Sequence, residues 1–258
     1  MIDHLSSSQI NLYLQCSLKY RFQYIDAIPK PFKGSGLILG SAIHSTISWF
    51  HKEKMNGNGV TLERLFRIFR ADWYSQKVDA ELRFKEGEDE MKVTVMGNEM
   101  LARYFENPLK DVKGTDVHFN IPLINPSNGE SLGINLEGFF DAVEKDGIIA
   151  EFKTSGQTMA AREVNDHLQL TIYSYAYGML YQKPPKLLKL IDFVKTKKPK
   201  MIMFETTRSK ADYQRLFYLA SQVLRGIRLG IFFPRPSFIC KDCEYAVPCR
   251  RWEGNGRD

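Results

Sequence analysis

Between Val117 and Thr154 the chain drops helical spacing and alternates, or runs apolar, in three blocks: Val117 to Ile124, Gly133 to Val143 and Ile148 to Thr154. A period of two gives each block one face for a core and one for polar groups, the pattern of strands. Asn125-Pro126-Ser127-Asn128-Gly129 and Asp146-Gly147 separate the blocks with turn residues. An antiparallel meander is therefore expected mid-chain. Helical periods flank it. Ser6-x-x-Gln9 is a capping-box start, followed by Ile10, Tyr13, Leu14, Leu18 and Phe22 at helical spacing. A second helix opens after Gly34-Ser35-Gly36 with Ile43, Ile47 and Phe50 on one face, and helical patterns cover about Leu62 to Leu82 and Val93 to Tyr104. After the meander come a helix from about Ala160 to Tyr181, strands at Leu187 to Lys195 and Met201 to Thr206, and a last helix at Ser209 to Leu229. This order predicts an α/β architecture: a mixed central β-sheet flanked by helices, with a helical N-terminal extension.

Composition sets the limits. With 258 residues, 43% apolar and 26% charged, the chain is an ordinary globular protein and not a disordered one. No run approaches the roughly 18 apolar residues of a membrane span, and Met1 to Leu5 lacks a basic n-region before an apolar core. A cytoplasmic protein without a membrane partner is expected. The chain reads as a single domain: residues 1–110 mainly helical, 115–230 the α/β core, and 231–258 a cysteine-bearing tail. The net charge of +6 is concentrated, because Lys183 to Arg215 carries ten Lys or Arg against three Asp or Glu. Such a basic segment can follow a phosphate backbone. Lys195, Lys197 and Lys198 are its candidate contacts, and a solvated charge run is the alternative. Tyr13, Tyr20, Phe22 and Tyr24 are candidates for stacking on single-stranded bases, with core packing as the other reading. Asp79 to Glu90 is acidic and reads as a solvated stretch.

Asp141 and Glu151-Phe152-Lys153 sit on two strands joined by a short turn. Glu151 and Lys153, two apart, share a strand face. A two-residue Asp146-Gly147 loop would put Asp141 on the opposite face. A three-residue loop, Lys145-Asp146-Gly147, pairs Asp141 with Glu151 and places Gly147 at a left-handed position; this register is the expected one. Two carboxylates and a lysine on one half-buried face suit Mg²⁺ or Mn²⁺ better than zinc. A cross-strand salt bridge is the competing account.

Cys240-x-x-Cys243-x5-Cys249 forms a compact ligand cluster near the C-terminus, and Cys16 in the first helix would complete a set of four. Four thiolates accept either tetrahedral Zn²⁺ or an iron–sulfur cluster, and spacing alone leaves both open.

Gly138-Phe139-Phe140-Asp141, followed ten residues on by Glu151-Phe152-Lys153, resembles the PD-(D/E)XK nuclease superfamily, and most of all its RecB-like branch. Gly40-Ser41-Ala42-Ile43-His44 matches that branch's upstream histidine, and Gln169-Leu170-Thr171-Ile172-Tyr173 its Q-x-x-x-Y element. One early cysteine with a C-terminal triplet is similar to the iron staple of AddB-type nuclease domains and CRISPR-associated adaptation exonucleases. The resemblance implies a restriction-endonuclease-like core with a Cys-ligated C-terminal staple. It implies a metal-dependent DNA exonuclease of repair, recombination or CRISPR adaptation, acting alone or beside a separate helicase or integrase. His44, Asp141, Glu151 and the Phe152 carbonyl would bind Mg²⁺ or Mn²⁺, and Lys153 would act on the attacking water. Gln169 and Tyr173 would touch nucleic acid or support the metal site. Cys16, Cys240, Cys243 and Cys249 would hold a structural [4Fe–4S] cluster. No G-x-x-x-x-G-K-[ST] phosphate loop is present, so no ATP motor is expected. A non-catalytic nucleic-acid-binding subunit with the same fold, or a zinc-stapled DNA-binding protein, are the competing functions.

Overall fold

The computed structural model describes residues 2–77 and 81–252. The chain divides into two compact units, each made of separate stretches of sequence.

The larger unit runs from Phe32 to His118 and from Phe139 to Thr207. It contains β2 (Phe32–Gly34), α3 (Ser35–Met55), α4 (Leu62–Ser75), β3 (Glu81–Arg83) and α5 (Glu90–Glu106). Further along come β6 (Ile148–Ser155), α6 (Ala161–Asn165), α7 (Leu168–Tyr181), β7 (Leu187–Val194) and β8 (Lys200–Thr206). Two long strands, β4 (Val112–Ile124) and β5 (Ser131–Glu144), contribute to both units. Within this unit the end of β5 is antiparallel to β6, β6 is parallel to β7, and β7 is antiparallel to β8, which makes a mixed sheet. One face buries Ala150 and Phe152 of β6 and Ile191 and Phe193 of β7. They pack with Ile43, Ile47 and Phe50 of α3, Leu65, Phe69 and Trp73 of α4, and Met100, Leu101 and Tyr104 of α5. Side chains that alternate along β6 and β7 therefore put Glu151, Lys153 and Asp192 on the other face. Helix α7 packs on β6 and β7, and its Tyr173 ring lies 5.2 Å from Phe140.

The smaller unit takes the first 31 residues, Phe119–Gly138 and the chain from Arg208 onward. Here β1 (His4–Leu5) pairs in parallel with β5, His4 opposite Asn135. It also holds α1 (Ser7–Gln15), α2 (Ser17–Tyr20), a π-helical turn (Arg21–Ile25), α8 (Lys210–Arg228) and α9 (Ala246–Arg250). Helix α1 starts at the expected cap, where the Ser6 hydroxyl accepts from the Gln9 amide at 3.2 Å.

Three helical expectations need correction. The first helix breaks at Cys16, whose backbone is extended (φ −163°, ψ 104°). The Leu18 amide donates to the Phe233 carbonyl at 3.1 Å instead of continuing the helix, and Ser17 bonds the same residue. Helix α4 ends at Ser75, where Ser75 and Gln76 side chains bond Asp72. Of the expected remainder, 78–80 lie outside the described residues and Glu81–Arg83 is a strand parallel to β2. The same undescribed residues include the start of the acidic Asp79 to Glu90 stretch. The helix expected over Ala160 to Tyr181 is two, because His167 is extended (φ −66°, ψ 112°). The N-terminal aromatics pack inward: Tyr20 and Phe22 are buried, Tyr20 stacks on Phe232, and the Tyr13 hydroxyl donates to the Ile231 carbonyl. Among the described residues no helix is long and apolar enough to cross a membrane.

Candidate active site

The hairpin between β5 and β6 has the three-residue loop Lys145–Gly147, with Glu144 opposite Ile148 and Ala142 opposite Ala150. One step further along that register sets Asp141 against Glu151. Asp146 (φ 64°) and Gly147 (φ 75°) are both left-handed. At Gly147 a side chain is excluded twice over, because a Cβ there would stand 2.6 Å from the Tyr177 hydroxyl.

The strands part beyond Ala142, and the Asp141 side chain fills the gap: its Oδ2 accepts from the Phe152 amide at 2.9 Å. Glu151 is 2% exposed. Its Oε2 accepts from Gln169 Nε2 at 2.8 Å, and the same nitrogen lies 3.0 Å from the Tyr173 hydroxyl, which in turn donates to Asp141 Oδ1 at 3.1 Å. Gln169 and Tyr173 are one turn apart on α7, so a single helix face reaches both carboxylates.

His44 arrives from α3. A Cβ on Gly40 would come within 2.9 Å of Thr154 Oγ1, so the missing side chain lets α3 lie close to β6. One turn on, His44 Nδ1 stands 3.4 Å from Asp141 Oδ2, and its ring meets Phe152 edge-on at 5.9 Å. His51, seven residues further along the helix, takes no part: it is buried and shares a 2.6 Å hydrogen bond with the Tyr104 hydroxyl.

Electrostatics set the character of this cluster. Burial holds the Glu151 carboxyl well above the usual carboxylate range, and the Asp141 charge pushes the same way against the weaker pull of Lys153. Burial, with both carboxylates adding to it, also raises the Tyr173 phenol well above its usual value, so it remains a donor. Lys153 lies on the Glu151 face and pairs in register with Asp192 of β7. The sequence pattern passes over Asp192; its one signal is a carboxylate inside the apolar run Leu190-Ile191-Asp192-Phe193-Val194.

The structure thus brings His44, Asp141, Glu151, Lys153, Gln169 and Tyr173 to one place. The basic loop is less uniform than its sequence. Lys197 and Lys198 are exposed, but Lys195 is half-buried, with its Nζ 3.3 Å from where a Cβ on Gly36 would be.

Among the described residues no group of three or more His, Cys, Asp or Glu side chains is arranged to hold a metal ion. Gln169 hydrogen-bonds one oxygen of Glu151, and Tyr173 and the Phe152 amide hydrogen-bond the two oxygens of Asp141. The donor chemistry nevertheless fits a hard divalent cation: two carboxylates, one of them buried, beside an imidazole.

In the smaller unit all four cysteines are free thiols. Cys16, Cys240, Cys243 and Cys249 line one cavity of about 370 Å³ together with Leu18, Phe22 and Tyr245. Burial pushes the Cys243 and Cys249 thiols up, and the Cys16 thiol adds to both shifts. Lys19 and Glu244, paired at 2.7 Å, and the Tyr245 hydroxyl, which donates to the Ile28 carbonyl at 3.1 Å, hold this wall in place.

No curated protein matches the chain. Among solved structures, a protein from Eubacterium rectale described as a “Putative exonuclease” superposes with a TM-score of 0.63 at 13% identity, covering 99% of this chain and 90% of its own. A second, described as SSO0001, shares 14% identity over 95% of this chain and 93% of its own, with a TM-score of 0.40, too low to speak for a shared fold. The model of the PD-(D/E)XK nuclease superfamily matches residues 4–250, a span that takes in the carboxylate hairpin, the upstream histidine and the α7 pair. With that match over nearly its whole length, and a mixed sheet carrying Asp141, Glu151 and Lys153, the chain belongs to the PD-(D/E)XK nuclease superfamily.

Proposed function

We propose that the protein is a Mg²⁺- or Mn²⁺-dependent deoxyribonuclease that hydrolyses phosphodiester bonds from DNA ends. One observation carries this reading: the buried Glu151 carboxylate stands beside Asp141 on the face that also presents Lys153. Two carboxylates in a low-dielectric site repel, and they are stable together only with a shared proton or a cation between them. His44, Asp141, Glu151 and the Phe152 carbonyl would hold that cation. When bound, it polarises a phosphoryl oxygen and makes hydroxide accessible at neutral pH.

The remaining chemistry falls to side chains. Lys153 orients the attacking water and offsets negative charge as the phosphate is attacked. Gln169 and Tyr173 fix the carboxylate oxygens, the outer-shell role that keeps ligands aimed. Lys197 and Lys198, exposed after β7, hold the phosphate backbone, while Lys195 of the same loop is half-buried. Attack at DNA ends rather than internally is supported by the description of the Eubacterium rectale protein, at the level of fold alone.

In the same reading Cys16, Cys240, Cys243 and Cys249 hold a structural [4Fe–4S] cluster. Four free thiols around one cavity supply the donor set such a cluster takes. A single Zn²⁺ would draw the four sulfurs to about 2.3 Å from one point, so metal analysis separates the two.

The test is degradation of end-labelled linear DNA and of the corresponding circle, each with Mg²⁺, Mn²⁺ or EDTA. Metal-dependent loss of linear DNA with the circle intact supports an exonuclease. Cleavage of the circle redefines it as an endonuclease, and intact DNA in every condition overturns the reading.

A further inference from the structure

Asp192 lies in the middle of β7 and exposes no surface. Neither carboxylate oxygen has a hydrogen-bond partner. The polar groups that act on it are the Ser155 hydroxyl, the Met159 amide and the ammonium groups of Lys153 and Lys195. A buried carboxylate that makes no close hydrogen bond is strongly unfavourable unless a counter-charge or ligand answers it.

Register and face choose between the two lysines. Lys153 of β6 is the in-register neighbour of Asp192 of β7, and paired residues of adjacent strands project from the same face. That face is the one Glu151 uses. Lys195 follows β7, three residues past Asp192, and its Nζ lies beside Gly36 at the start of α3, toward the opposite side of the sheet. Lys195 also has an anion of its own, since Glu88 acts on it more strongly than Asp192 does. Of the two cations around Asp192, Lys153 is correspondingly the stronger.

We propose that Asp192 is a positioning residue of the nuclease site: its carboxylate is the counter-charge that, without a direct hydrogen bond between the two, biases the Lys153 ammonium toward the strand face occupied by Glu151. The proposal rests on reading Asp141, Glu151 and Lys153 as the hydrolytic group. Lysine carries its charge on a flexible four-carbon stem, and Lys153 is only half-buried. A fixed anion one strand away narrows the positions its ammonium occupies. That restriction matters for turnover and not for holding DNA, because Asp192 has no exposed surface with which to touch a substrate.

Two measurements on the full chain test it. In steady-state cleavage of linear DNA with Mg²⁺, Asp192→Asn, which keeps shape and removes charge, lowers kcat by about tenfold or more with KM for DNA unchanged. In a melting cycle, Lys153→Met lowers Tm by stranding the Asp192 charge. Adding Asp192→Asn to Lys153→Met then raises Tm by about 3 °C or more, and adding it to Lys195→Met gives no such recovery. Wild-type kcat in Asp192→Asn, or melting shifts that simply add in the Lys153 cycle, overturns the proposal. If the wild-type protein cleaves no DNA, the nuclease reading fails, and the melting cycle alone still decides whether Asp192 and Lys153 are paired.

Discussion

Gln169 Nε2 lies 2.8 Å from Glu151 Oε2, so the helix after the hairpin provides the hydrogen bond that the buried strand carboxylate requires. The same nitrogen lies 3.0 Å from the Tyr173 hydroxyl, and that hydroxyl reaches Asp141. One helix turn therefore fixes the spacing of two carboxyl groups on neighbouring strands.

Removing that support weakens the site before it weakens the fold. Gln169→Ala takes a donor from Glu151, and Tyr173→Phe takes one from Asp141. Each is expected to lower nuclease turnover about 10- to 100-fold and to cost about 1–3 kcal/mol of stability. Initial rates and denaturant melts on the two variants check both effects.

The raised pKa of Glu151 fixes the sign of a pH effect. Without metal, the folded protein keeps a proton on Glu151 that the unfolded chain releases in the ordinary carboxylate range. The stability linked to that proton is full at low pH and is lost as pH rises through the folded-state value. In EDTA the contribution of Glu151 to Tm should therefore fall as pH rises above the ordinary carboxylate range, and Glu151→Gln should flatten that slope. Mg²⁺ binding to the ionised form should restore Tm most at the alkaline end.

His51 predicts the opposite sign. Burial, with Lys54 adding to it, lowers its pKa from 6.5 to about 4. The stability it contributes is full above 6.5 and is lost as pH falls toward about 4, where the imidazole must charge beside Tyr104. The amount at stake is on the order of 3 kcal/mol. His51→Leu should remove this acid-side loss, as read from Tm between about pH 4 and pH 7.

The hairpin was legible in sequence because each of its signals is local. Alternation marked β5 and β6, and a Gly that must be left-handed pinned the loop, which set Asp141 against Glu151 without any long-range information. Ser6 and Ser209 likewise announce the caps of α1 and α8. What was not legible depends on partners far along the chain. The break at Cys16 follows from bonds to Phe233, and the three-residue strands β2 and β3 exist only by pairing with each other. Lys195 reads as one more solvated cation until its contact with Gly36 on α3 is known. Asp192 stands in a run whose β-strand character is obvious, and only burial marks its carboxylate as a special one.

The cysteine cavity makes a prediction independent of catalysis. Protein purified without oxygen should carry iron and sulfide and absorb near about 400 nm, with the band bleached by reductant. Cys240→Ser and Cys16→Ser should each lose most of that absorbance and melt earlier, although the two residues are far apart in sequence. A stoichiometric zinc content with no visible band would replace the cluster by a zinc staple.

The most direct measurement of the central claim is Mg²⁺-dependent degradation of linear DNA by the wild-type protein, Asp141→Ala, Glu151→Gln and Lys153→Ala, each shown by melting to be folded. The account predicts metal-dependent cleavage by the wild type and a loss of about 10²-fold or more in each variant. Cleavage that persists unchanged in the three variants would contradict it.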